Sequence, residues 1–73
     1  METHTAPIVG GGIRRTYRKN GNHFATVVIL PGTLARIYWP DGRMEDYKTL
    51  QGAYDAVEDS IVRSTAWTLE GGI

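Results

Sequence analysis

The stretch from Arg36 to Val62, RIYWPDGRMEDYKTLQGAYDAVEDSIV, constrains this chain most, because it reads as strand, tight turn, strand and then one amphipathic helix. Pro40 presets φ for the second position of a turn. Gly42 accepts the left-handed backbone that a type I turn with a following bulge requires. The register this turn dictates sets Trp39 opposite Arg43, Tyr38 opposite Met44, Ile37 opposite Glu45, Arg36 opposite Asp46 and Ala35 opposite Tyr47. Side chains alternate along a strand, so Ala35, Ile37, Trp39 and Tyr47 fall on one face, with Leu34, Arg36, Tyr38, Met44 and Asp46 on the other. Thr49 is placed to cap a helix beginning near Leu50, its hydroxyl accepting from an unpaired N–H of the first turn. Leu50, Ala53, Tyr54, Val57 and Ile61 then form one apolar stripe at three- and four-residue spacing, while Asp55, Glu58, Asp59 and Arg63 mark the opposite side. Gly52 weakens the first turn unless something packs closely there.

Upstream, Asn20-Gly21 is a strong hairpin signal, and FATVVIL from Phe24 to Leu30 has the β-branched, apolar content of a central strand. A two-residue turn at Asn20-Gly21 predicts Tyr17 opposite Phe24, Arg15 opposite Thr26 and Ile13 opposite Val28. A second tight turn at Pro31-Gly32 predicts Phe24 beside Trp39, Thr26 beside Ile37 and Val28 beside Ala35. Together these assign Ile13, Tyr17, Phe24, Val28, Ala35, Ile37, Trp39 and Tyr47 to the face beneath the helix. The expected architecture is therefore an α+β domain, a four-stranded antiparallel β-meander packed on one amphipathic helix. Residues 1–12 read as a flexible lead-in, residues 13–70 as the single domain and residues 71–73 as a loose end. The alternation of Thr65, Trp67 and Leu69 favours a helix ending near Arg63, followed by a short fifth strand or extended tail.

Composition narrows function mainly by exclusion. A chain of 73 residues buries only about 60% of the surface it exposes when unfolded, which leaves little room for a deep site. No cysteine is present, excluding a disulfide scaffold, a thiol nucleophile and thiolate metal ligands. METHTAPIVGGG has neither the cationic segment nor the apolar run of a signal peptide, and no stretch approaches membrane-spanning length. The expected setting is cytoplasmic, with no membrane association. His4, His23 and Glu2 match no ligand spacing, and the helix carboxylates lack a cleft, so no catalytic residue, metal, cofactor or small-molecule substrate is expected.

Two surfaces remain. With a single helix, one sheet face is left uncovered. Val27, Ile29, Leu34, Arg36, Tyr38 and Met44 on that face are the candidate protein-binding residues. Asp55, Glu58 and Asp59 on the helix offer a second protein-binding face, able to enter a basic groove as a mimic of nucleic acid. Net charge is zero, but residues 1–36 carry a balance of +4 and residues 37–73 a balance of −4. Arg14, Arg15, Arg18, Lys19 and Arg36 are accordingly the candidate contacts for nucleic acid, the alternative partner. Over residues 13–60, strands followed by a helix containing AYDAVE resemble the three-stranded DNA-binding modules of certain plant proteins and of integrase arms. The chain departs from them by one additional hairpin and lacks their aromatic and glycine pattern; the resemblance implies base or phosphate contacts at Arg14, Arg15, Arg18 and Arg36. The expected function is a small non-catalytic binding or regulatory protein, such as a phage or bacterial inhibitor, that acts on a protein partner. Homodimerisation through the open face or an edge strand is a further expectation.

Overall fold

The computed structural model describes residues 2–71, with side chains described as far as Arg63. Five strands, β1 (Glu2–Ile8), β2 (Gly12–Lys19), β3 (Asn22–Ile29), β4 (Ala35–Tyr38) and β5 (Met44–Tyr47), precede one helix, α1 (Leu50–Gly71). The strands form a single antiparallel meander in sequence order. The α+β class, with a meander packed on one helix, is as the sequence indicates. The helix lies across β3, β4 and β5.

The turns form as their chemistry directs. Asn20 and Gly21 both adopt positive φ, 54° and 79°. At the β4–β5 turn the Gly42 N–H donates to the Trp39 carbonyl at 3.1 Å and the Trp39 N–H to the Arg43 carbonyl at 2.9 Å, with Gly42 at φ 94°. The β4–β5 register then follows prediction at every pair from Ala35–Tyr47 to Tyr38–Met44. Thr49 caps the helix, its Oγ1 accepting from the Gly52 N–H at 3.0 Å. A Cβ on Gly52 would stand 3.0 Å from that same oxygen, so glycine here permits the close approach of the cap.

Two registers differ from prediction. An irregularity between Tyr17 and Arg18 leaves Phe24 as an extra residue on β3, so Tyr17 pairs with Ala25 and Arg15 with Val27. At Pro31-Gly32 the Thr33 N–H closes on the Leu30 carbonyl at 3.1 Å with Gly32 at φ 74°, the geometry of a type II turn. That turn widens the connection, and Val27 rather than Thr26 pairs with Ile37. Each shift is one residue, so β3 alone is inverted relative to the expected arrangement.

The consequence for the faces is simple. Apart from the bulged end of β2 and β3, even-numbered residues pair with even-numbered ones throughout the sheet, and these line the open face. Odd-numbered residues face the side on which the helix lies. Tyr17, Ala25, Val27, Ala35 and Ile37 are buried against Ala53, Tyr54 and Val57, with Leu50, Ile61, Tyr47 and Ile29 packed at the margin. Val27 and Ile29, expected on the open face, thus belong to the helix side, and Val28, expected in the core, belongs to the open side. Ile13 has the expected facing, but it lies at the edge of the covered area and stays exposed. Phe24 is the exception among even residues. As the extra residue of the bulge it packs against the core, edge-on to Trp39 with ring centroids 6.1 Å apart.

Both ends of the chain also differ from expectation. Residues 2–8, expected as a flexible lead-in, are β1, joined to β2 by a turn in which Gly10 and Gly11 take positive φ and the Gly11 N–H meets the Ile8 carbonyl at 3.0 Å. The fifth strand of the sheet is therefore N-terminal. Residues 64–70, expected as a strand or tail, continue the helix to Gly71. Between Gly52 and Gly71 there is no glycine or proline to stop it. Of the expected loose end, residues 72 and 73 lie outside the described residues.

The inversion of β3 is directly testable, because Val→Thr keeps shape and adds a hydroxyl. Val27→Thr should cost about 1–3 kcal/mol for burying that hydroxyl. Val28→Thr should stay within about 0.5 kcal/mol. Urea denaturation of both variants checks this, and equal costs would contradict the register.

Candidate functional site: the open face of the sheet

The even-numbered positions build two rows across the open face. Ala6, Arg14, Val28, Arg36 and Asp46 form one; His4, Thr16, Thr26, Tyr38 and Met44 form the next. Leu30, Leu34, Tyr38 and Met44 are 44%, 51%, 38% and 57% exposed. With the half-buried Val28 they make an apolar strip over β3, β4 and β5. Val28, Leu30, Thr33, Leu34, Arg36, Tyr38 and Asp46 enclose a shallow concavity of about 260 Å³ there. Of the predicted open-face residues, the structure brings together Leu34, Arg36, Tyr38 and Met44; Val27 and Ile29 are on the other side.

Arg36 and Asp46 form the polar wall of this strip. The guanidinium donates from Nε to Oδ1 at 2.8 Å and from Nη2 to Oδ2 at 3.3 Å, a two-pronged pair across β4 and β5. Arg36 holds the Asp46 carboxyl below its usual range, and Asp46 in turn keeps the guanidinium more firmly protonated. Asp41, at the turn, is also held low, first by the Arg43 backbone N–H at 3.0 Å and then by the Arg43 side chain at 2.7 Å.

The predicted basic cluster divides between the two sides. Arg14, Arg18 and Arg36 share the open face, whereas Arg15 turns to the helix side. There it stacks on Tyr54, its Cζ 3.8 Å from the ring centroid, and donates from Nε to Thr5 Oγ1 at 2.8 Å. Lys19 lies at the bulged end of β2, half-buried and engaged with a neighbour. Tyr17 is buried beside Arg15. Burial pushes its phenol above the ordinary value and the guanidinium pulls it down, without a hydrogen bond of normal geometry to the hydroxyl.

The acidic helix positions Asp55, Glu58 and Asp59 are all exposed. Asp55 accepts from Gln51 Nε2 at 2.8 Å and Asp59 pairs with Arg63 at 2.8 Å, so two of the three are already engaged along the helix. Across the described residues, no three histidine or acidic side chains gather as metal ligands would. His23 instead shares a 2.8 Å hydrogen bond with Thr26 Oγ1. Among the described residues, no helix is long and apolar enough to cross a membrane.

The β1 positions His4, Ala6 and Ile8 and the strip residue Leu30 escape the sequence-based reading of this face. The Gly10-Gly11 dipeptide is itself a hairpin signal, and the alternation of threonines before it marks a strand. Comparison with known proteins finds no match to this chain among family models, curated proteins or solved structures.

The Arg36–Asp46 pair sets a pH dependence with a definite sign. A carboxylate whose folded pKa is depressed stabilises the fold above its unfolded value, 3.8 for Asp46, and that stabilisation disappears as pH falls through the lower folded value. Wild type should therefore exceed Asp46→Asn in stability at neutral pH, and the gap should close in acid. Urea midpoints measured at neutral and strongly acidic pH check this; a gap that persists in acid contradicts it.

Proposed function

We propose that this chain is a small non-catalytic binding protein that engages a protein partner through the open face of its sheet. The observation that carries this reading is the apolar strip of Val28, Leu30, Leu34, Tyr38 and Met44. A strip of this kind, rimmed by charge and without a covering layer among the described residues, is of the sort that serves as an interaction surface. The acidic helix face is less favoured, because Asp55 and Asp59 are engaged by Gln51 and Arg63. Nucleic acid is less favoured for two reasons. Arg15 and Arg36 are tied to other residues, and Tyr38 is the one aromatic side chain in the strip, whereas single-stranded nucleic acid is held on several stacking rings.

Affinity capture from the source cell, with three forms of the full chain as bait, tests this. Wild type and an Asp55→Lys/Asp59→Lys variant should retain the same protein. A Tyr38→Asp/Met44→Asp variant, altered only at exposed positions, should lose it. Sedimentation with mixed DNA and RNA at low and physiological salt supplies the opposing outcome. Salt-sensitive co-sedimentation would overturn the reading in favour of nucleic acid, provided that Arg14→Ala or Arg18→Ala makes the salt slope shallower by about one unit for each phosphate the arginine neutralises.

A further inference from the structure

The charges that line the open-face concavity, Arg36 and Asp46, answer each other, but Arg14, one strand beyond its lining, has no such counterpart. Arg14, Val28 and Arg36 stand side by side on β2, β3 and β4, so the apolar floor at Val28 lies between two guanidinium-bearing positions. Arg36 is matched by Asp46. Arg14 has Ala6 and Val28 as its cross-strand neighbours, and no ion pair among the described residues reaches it. Arg18 lies farther along β2, across from Glu2 and away from the row that holds Val28. The concavity itself, at about 260 Å³ with Leu30, Leu34 and Tyr38 on its walls beside Thr33, Arg36 and Asp46, has room for one large side chain.

From this we infer that the partner segment is acidic as well as apolar. One bulky aliphatic or aromatic side chain seats over Val28 between Leu34 and Tyr38, and an adjacent Asp or Glu meets Arg14. This rests on the reading of the open face as a protein-binding surface, and adds to it the chemistry of what binds. A carboxylate placed at Arg14 gains a charge-assisted hydrogen bond that a neutral or basic segment lacks. The seated side chain supplies most of the affinity and the charge supplies the selection.

The test is a titration of the isotope-labelled full chain with short synthetic peptides, followed by backbone amide shifts. One peptide carries a central Phe flanked by Glu, a second the same Phe flanked by Lys, and a third a central Ala flanked by Glu. The Glu-flanked Phe peptide should move the amides of Val28, Leu34 and Tyr38, and bind at least about tenfold more tightly than either control, a difference of about 1.4 kcal/mol. Arg14→Gln, an exposed substitution that leaves the core untouched, should remove the preference for Glu over Lys. Leu34→Asp should abolish binding by all three. Equal binding of the Glu- and Lys-flanked Phe peptides at these amides would overturn the acidic assignment while leaving a protein-binding face. No response to any peptide, with a single-stranded oligonucleotide moving the same amides, would overturn both.

Discussion

The bulge at Phe24 decides what lies on each side of this molecule. One helix covers one face of a sheet, and strand side chains alternate with a period of two, so a single extra residue exchanges the two faces of the strand beyond it until a second shift restores them. With Phe24 taken out of the ladder, β3 turns Ala25 and Val27 toward Ala53 and Val57 and leaves Thr26 and Val28 outside. Small residues at Ala25, Ala35 and Ala53 are fully buried where helix and sheet meet. The aromatic ring that this arrangement displaces is kept at the margin against Trp39.

That bulge is also what the sequence hides. Turn chemistry at Asn20-Gly21, Trp39–Gly42 and Thr49 is readable because each depends on a few residues with restricted or permissive backbones. The bulge depends on which face of β3 packs better under a helix that is distant in sequence. In FATVVIL the one polar residue, Thr26, favours the even-numbered set outside, but the large apolar Phe24 in the same set argues the other way. The two one-residue shifts flanking β3 cancel, so the facing of β2, β4 and β5 is legible even though β3 is inverted. Agreement among the hairpins is for that reason insensitive to the facing of the strand between them. Part of the open-face strip, Leu34, Tyr38 and Met44, follows from the readable β4–β5 turn; Val28 and Leu30 join it only through the inversion of β3.

Charge behaves similarly. The +4 and −4 halves of the chain suggest a basic hairpin set against an acidic helix. In space, Arg14 and Arg15 point to opposite sides because they are adjacent on a strand, and Arg36 crosses to an acidic strand to meet Asp46. What remains on the open face is a local imbalance beside an apolar strip. Local balance of this kind, rather than the net charge of a segment, governs which partners a surface admits.

The N-terminal strand has a place apart in this architecture. The helix backbone packs on β3, β4 and β5, so β1 is held by its ladder to β2 and by the Arg15–Thr5 hydrogen bond. Most of its side chains are exposed. A strand with so little burial can detach while the rest stays folded, at a free energy well below that of global unfolding. Its amides should exchange with solvent ahead of those of β3 and β4, leaving β2 as the edge of a four-stranded sheet whose core is intact. The part of the sheet that shares the core with the helix is thus smaller than the sheet itself.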